Sequence, residues 1–237
     1  MKTLRNVTIS ASVFEEKHHH MIPLDVRQLA VLIVQSNHTL RDIRIKIERE
    51  DKYTFSDFAP LYECGGLRHL ELGIGGEFED IEDVHFQQMA QSWPDLHFLA
   101  IVTEIWRDDY SVDLDQIDPA ELTSVSLDVL QFFLHHCPKL NNLRLTCIGA
   151  PHTSYPTVPI QVDSGHGPLC LDLGGLSEEV AESAAVARFL YALYQDREIR
   201  FLGKTAYAKD VQKVLDHQRE SQRDLQGDSI DDVPESG

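Results

Sequence analysis

Apolar residues recur along this chain in a short phrase, Leu-x-x-Leu-x-Leu, with valine or isoleucine replacing leucine in some copies. The copies are Leu4/Val7/Ile9, Leu40/Ile43/Ile45, Leu67/Leu70/Leu72, Leu96/Leu99/Ile101 and Leu140/Leu143/Leu145, with a looser sixth at Leu169/Leu171/Leu173. The alternation that closes each copy is that of a short strand with one buried face. Between copies the period changes. Asp25–Gln35 sets Val26, Leu29, Ala30, Ile33 and Val34 on one helical face, and Val84–Ser92 sets Met89 and Ala90 on a similar stripe. Leu127–His136 (Leu127, Leu130, Phe133, Leu134) and Glu178–Tyr194 (Val180, Ala184, Val186, Ala187, Leu190, Leu193) read as helices in the same way.

Successive copies begin 36, 27, 29, 44 and 29 residues apart. A strand–helix unit of that length cannot bury its own apolar face and must stack on its neighbours. The breakers agree. Trp93-Pro94 and Cys137-Pro138 each stop a helix, because proline disfavours the helical conformation of its predecessor and has no N–H to donate. Two residues after each proline a strand begins, at Leu96 and at Leu140, and Gly65-Gly66 plays the same part before Leu67. The expected fold is therefore an α/β leucine-rich-repeat solenoid, a curved parallel sheet with helices on its convex face. It is expected to span residues 1–218, with a helix around Ala206–Gln218 (Val211, Val214, Leu215) as its C-terminal cap, and a disordered acidic tail over 219–237. The first strand is expected to expose its outer edge, since nothing comparable to a cap precedes Leu4.

Composition narrows the function classes. With 39 acidic against 21 basic residues the net charge is −18, which repels phosphate backbones and anionic membranes at long range. The apolar run Leu29–Val34 is far short of the roughly 18–20 residues a membrane span needs. Met1–Ser12 alternates apolar and polar residues, unlike a secretory leader. The four cysteines, Cys64, Cys137, Cys147 and Cys170, lack a CxxC spacing and read as reduced thiols of a cytoplasmic or nuclear protein.

The run from Cys137-Pro138 through Leu140, Leu143 and Leu145 resembles the cysteine-containing leucine-rich repeats of F-box proteins. Val84 through Trp93-Pro94-Asp95-Leu96 is similar to the helix–Trp-Pro–Leu units of fungal F-box proteins, and Leu171-Asp172-Leu173-Gly174 with Ala185–Leu190 resembles their closing strand and helix. The resemblance implies a substrate receptor of a cullin-type ubiquitin ligase, which joins the ligase through an N-terminal F-box bound to the Skp adaptor. Here the first strand phrase starts at Leu4 and leaves no room for that box ahead of it. The implied part is thus the substrate-recognition half, with the Skp adaptor and cullin as indirect partners. The alternative is a leucine-rich-repeat scaffold unrelated to ubiquitin.

Alternation also names the candidate contact residues. Those between the buried positions face the concave surface, which is where solenoids usually bind. They include Asn6, Thr8 and Ser10; Asp42, Arg44 and Lys46; His69, Glu71 and Gly73; Phe98, Ala100 and Val102; Asn142, Arg144 and Thr146; Cys170 and Asp172. From these, Arg44, Lys46, His69, Glu71, Phe98, Val102, Asn142 and Arg144 are the protein-binding candidates. Phe98 with Val102 would form an apolar anchor, and Arg44, Lys46 and Arg144 would receive acidic groups. Two alternatives stand beside this: the residues are ordinary tolerated surface, or a loop from 102–124 covers Phe98 and makes it core.

Other motifs fail on spacing. The acidic stretch after Val102 lacks the glycine and glutamate of a calcium loop: counted from Asp113, those positions hold Asp118 and Ser124. Trp106 and Tyr110 in that stretch are secondary contact candidates. His18-His19-His20 point in different directions on any regular element, and His135-His136-Cys137 sits at a helix end without a zinc-type ligand set. Gly73-Ile74-Gly75-Gly76 precedes acids that would repel phosphate and reads as a turn. No nucleophile elbow, P-loop, HExxH or dinucleotide fingerprint is present. The expectation is a non-enzymatic protein without cofactor or metal that binds another protein, and neither nucleic acid nor membrane.

Overall fold

A computed structural model describes residues 5–11, 25–36, 39–48, 52–103, 125–146, 167–174, 182–194, 197–202 and 205–227. The fold is mixed α/β. Seven parallel strands make one sheet in chain order: β1 (Asn6–Ala11), β2 (Asp42–Ile47), β4 (His69–Ile74), β6 (Phe98–Thr103), β7 (Asn142–Leu145), β8 (Leu169–Asp172) and β9 (Ile199–Phe201). A two-stranded parallel pair, β3 (Lys52–Tyr53) with β5 (Glu77–Phe78), stands apart from it. The helices are α1 (Val26–Ser36), a 3₁₀ helix (Phe55–Glu63), α2 (Asp83–Ser92), α3 (Val129–His136), α4 (Ser183–Leu193) and α5 (Ala206–Gly227).

Six of the strands carry the six apolar phrases, and their pairing keeps the phrases in register. Val7, Ile43, Leu70, Leu99, Leu143, Leu171 and Phe201 form one continuous row, and Ile9, Ile45, Leu72, Ile101 and Leu145 the next. All helices pack on the face these rows occupy, and the buried side chains from Val26 to Leu215 form a single core. Each fully buried leucine or isoleucine contributes about 1.5–3 kcal/mol, so this face is the main source of stability.

The boundary between helix and strand repeats as one backbone device. Cys64, Trp93, Cys137 and Tyr194 each follow a helix with ψ between 42° and 67° and each is buried. Their carbonyls accept from Leu67, Leu96, Leu140 and Arg197, every one at 3.0 Å. The side chains at three of these positions then reach back to the preceding unit. The Trp93 indole N–H donates to the Leu61 carbonyl (3.2 Å), the Cys137 thiol to the Ala90 and Trp93 carbonyls (3.5 and 3.4 Å), and the Tyr194 hydroxyl to the Leu130 carbonyl (3.4 Å). A buried donor aimed at the previous helix locks one unit onto the next. Asp83, at the start of α2, adds a further tie by accepting the Ser126 N–H at 2.8 Å and its hydroxyl at 2.6 Å.

At the far end α5 covers the open strand edge. The β9 N–H of Phe201 donates to the Gln212 side chain at 2.7 Å, and Arg219 donates to the Arg197 and Ile199 carbonyls at 2.7 and 3.4 Å. This is the anticipated cap, but it is longer than the apolar pattern indicated. The helix runs to Gly227, so Arg219–Gly227 belongs to it rather than to a disordered tail. Arg219 explains the difference, because its role is to satisfy backbone carbonyls, which no hydropathy pattern records. At the opposite end β1 keeps Asn6, Thr8 and Ser10 exposed and buries none of its six residues fully.

Four elements were not anticipated: the 3₁₀ helix, β9, and the short pair β3 and β5. The 3₁₀ helix carries Pro60 inside it, which interrupts the α-helical bonding pattern, and buries Phe55, Phe58 and Leu61. Its start is held by Asp80, whose carboxylate accepts the N–H groups of Phe55 and Ser56 and the Ser56 hydroxyl, and stays below the usual carboxylate range through these bonds despite its partial burial. β9 has only three residues and no leucine phrase. The first part of the expected helix Glu178–Tyr194, residues 104–124 of the expected loop and His18–His20 lie outside the described residues.

Trp93→Phe removes the indole donor and leaves a cavity in the core, and should cost about 2–4 kcal/mol of folding stability by urea denaturation. A loss below about 0.5 kcal/mol would show that the reach-back bonds do not hold the units together. Burial pushes the Cys137 thiol up to about 12 and raises that of Cys64. Iodoacetamide labelling followed by mass spectrometry should therefore leave both unmodified in the folded protein and label them only in denaturant.

Candidate protein-binding face

The face of the sheet turned away from the helices carries the alternate residues, and the pairing sets them in rows. The first row runs Asn6, Asp42, His69, Phe98, Asn142, Cys170, Arg200, and the second Thr8, Arg44, Glu71, Ala100, Arg144, Asp172. The third is Ser10, Lys46, Gly73 and Val102. Neighbours within a row are about 4.8 Å apart at the backbone. All eight candidate residues lie on this face: His69, Phe98 and Asn142 adjoin in the first row, Arg44, Glu71 and Arg144 lie in the second, and Lys46 and Val102 in the third.

Phe98 is at the centre and is neither buried core nor free surface. It is half-buried, and its ring stacks flat on the His69 imidazole, with centroids 4.1 Å apart and planes 1° from parallel. Ala100, only 2% exposed, lies beside it as a floor between the longer Glu71 and Arg144, and Val102 continues the apolar strip half-buried. The stack shields both rings from water on one side. It also desolvates His69, whose pKa is lowered first by burial and then by the nearby Arg44 charge, against the opposing pull of Asp42 and Glu71. The His69 Nε2 is shut off from solvent with no hydrogen-bond partner; the Glu71 carboxylate stands 3.8 Å away, beyond hydrogen-bonding reach.

The cations of this face are paired within the molecule. Arg44 lies 3.6 Å from Glu71, Arg144 2.8 Å from Asp172, and Lys46 bonds Glu48. These side chains are about half exposed, so each pair contributes on the order of 0–1 kcal/mol to stability. Their effect on recognition is larger: Arg44, Lys46 and Arg144 are not waiting for a partner's acids, as their sequence positions suggested. Glu48 and Asp172 hold two of them.

Sequence alternation therefore located the face but not its charge pairing. Asp42, Cys170 and Arg200 extend the first row, and Arg200 could be placed only once β9 was known. One further series escaped notice. The residue after the first leucine of each phrase is Arg5, Arg41, Arg68 and His97 in the first four copies. Away from this face, the His135 and His136 rings meet edge-on at 4.7 Å at the end of α3, and burial lowers the His136 pKa. Among the described residues no three His, Cys, Asp or Glu side chains converge as a metal site would require, and no helix is long and apolar enough to cross a membrane. Compared with protein-family models and with curated proteins, the sequence matches none.

His69 should titrate below the 6.5 of a free imidazole, and Phe98→Ala, by readmitting water, should move its midpoint upward, as read from imidazole proton shifts by NMR. A midpoint at or above 6.5 in the intact protein would contradict the stacked geometry. The folded state takes up the His69 proton less readily than the unfolded chain. The associated stability is fully present above the unfolded value and declines as pH falls through the lowered folded one.

Proposed function

We propose that this protein is a binding module of the leucine-rich-repeat solenoid type, whose open, concave sheet face holds another protein. The observation that carries this reading is the Phe98–His69 stack on its Ala100 floor, at the centre of a row-ordered polar face. A flat, partly desolvated aromatic surface ringed by paired charges has the make-up of a binding hot spot: an apolar centre that a partner dries, and a polar rim that sets orientation. The strands beneath it are fixed by hydrogen bonds on both sides, so little conformational entropy is lost on association. The paired charges of Arg44/Glu71 and Arg144/Asp172 favour a partner that matches both signs over one that is uniformly charged.

The partner class follows from the resemblance to F-box repeats. We propose that the face is the substrate-recognition region of an F-box type ubiquitin-ligase receptor, working in the cytoplasm or nucleus. The buried, protonated thiols of Cys64 and Cys137 are in keeping with such a compartment. In this reading the protein has no catalytic step of its own; it positions a substrate, and any ubiquitin transfer is performed by the proteins it joins.

Affinity purification of the intact chain from its own cells, with mass spectrometry, tests both levels. Recovery of the Skp adaptor and a cullin together with a further protein supports the ligase-receptor reading. Recovery of other proteins alone replaces it with a free-standing scaffold. For the partner so identified, Phe98→Ala should weaken binding by about tenfold or more while leaving the melting temperature nearly unchanged. Unchanged affinity would remove Phe98 from the interface and this face from the proposal.

A further inference from the structure

Four forked hydrogen bonds tie the starts of the first five strands of the sheet together. The Arg5 carbonyl accepts from Arg41 and Asp42 (2.9 and 3.1 Å), the Arg41 carbonyl from Arg68 and His69 (2.7 and 2.9 Å), the Arg68 carbonyl from His97 and Phe98 (2.8 and 3.0 Å), and the His97 carbonyl from Asn141 and Asn142 (3.0 and 3.2 Å). This places Arg5, Arg41, Arg68 and His97 at one equivalent position on four adjacent strands, along the rim where the strands begin. The series ends at Asn141, which is neutral.

Arg5 and Arg68 are exposed, and Arg41 and His97 are half-buried. Unlike the cations of the open face, the guanidinium groups of Arg5, Arg41 and Arg68 make no ion pair or hydrogen bond among the described residues. Two acids close to the rim in the chain are already engaged. Asp95 is held by Lys139, which keeps its carboxyl below the usual carboxylate range, with smaller contributions from Arg68 and His97. Asp42 receives the Asn6 amide at 2.6 Å once that amide is turned to donate. Like charges on adjacent strands repel, so the row works against the fold. It is also a local exception in a chain of net charge −18.

We infer that this rim is a docking strip for a short acidic peptide segment of a partner protein. Guanidinium groups bind carboxylates through two parallel hydrogen bonds, which suits the three arginines to Glu or Asp side chains. The row spans three inter-strand gaps of about 4.8 Å, roughly the length of four or five residues of extended chain at about 3.3 Å each. A long polyanion such as nucleic acid would extend beyond the strip into the repulsive field of the rest of the molecule, whereas a short acidic stretch would not. This inference uses a different set of residues and does not rest on the reading of the open face.

The test is fluorescence anisotropy with a fluorescein-labelled hexaglutamate peptide and the full chain, at about 10 mM salt, where charges act over about 30 Å. The intact protein should bind, and binding should weaken steeply toward physiological salt. R41E/R68E should lose about tenfold or more in affinity, and R41Q/R68Q should lose less but in the same direction. R27E/R223E makes the same change in net charge at exposed positions of α1 and α5, and should stay within about twofold of the intact protein. Circular dichroism checks that each variant is folded, and the Gln pair decides the matter if the Glu pair is not. Three results would overturn the inference: no binding by the intact protein at low salt, an equal loss in R27E/R223E, or tighter binding of a labelled oligothymidylate than of hexaglutamate.

Discussion

Parallel strands that follow one another in chain order have no hairpin to fix their alignment, and a slip of one residue would turn every apolar side chain to the wrong face. In this protein alignment is fixed at the ends of the strands. Below, one carbonyl per strand receives two N–H groups from the next strand, from Arg5 through His97. Behind, the buried residues that close α2, α3 and α4 reach into the preceding unit through the indole of Trp93, the thiol of Cys137 and the hydroxyl of Tyr194. Three different donors serve one purpose. What matters at that position is a buried group that fills space and has one hydrogen to give.

The open face inherits its order from this alignment. Because the apolar rows are in register, the residues between them are in register too, and charges of opposite sign meet across strands: Arg44 with Glu71, Arg144 with Asp172. The same register sets the Phe98 ring flat against His69. It also stacks Arg5, Arg41 and Arg68, where like charges meet instead, with His97 next in the series. One face thus satisfies its own charges around an aromatic centre, while on the rim beside it Arg5, Arg41 and Arg68 have no ion pair among the described residues.

Much of the α/β pattern was legible in the sequence. Leu67/Leu70/Leu72 or Leu140/Leu143/Leu145 combine period-2 burial with a breaker just before them, and both signals come from residues close in the chain. The features that were missed depend on partners distant in the chain. The 3₁₀ helix rests on Asp80, about 25 residues beyond its start, and the extension of α5 rests on Arg219 reaching Arg197 and Ile199. The eight candidate face residues could be placed by alternation alone. Their pairing could not, because Lys46 with Glu48 lies along a strand and Arg144 with Asp172 crosses to another. The arginine series was visible as a repeated Leu-Arg dipeptide, but its meaning required knowing that those residues are stacked and have no counter-ions among the described residues.

The account depends most on the sheet being a rigid platform whose register is held from both ends. Native-state hydrogen exchange of the free protein, resolved by NMR or by peptide mass spectrometry, tests this directly. The amides of β4, β6 and β7 should exchange most slowly and open together in one cooperative step, with protection falling toward β1, the edge strand that buries none of its residues fully. Exchange through β6 as fast as through β1 would contradict the account, since strands that open so readily could not hold fixed rows of side chains for a partner to recognise.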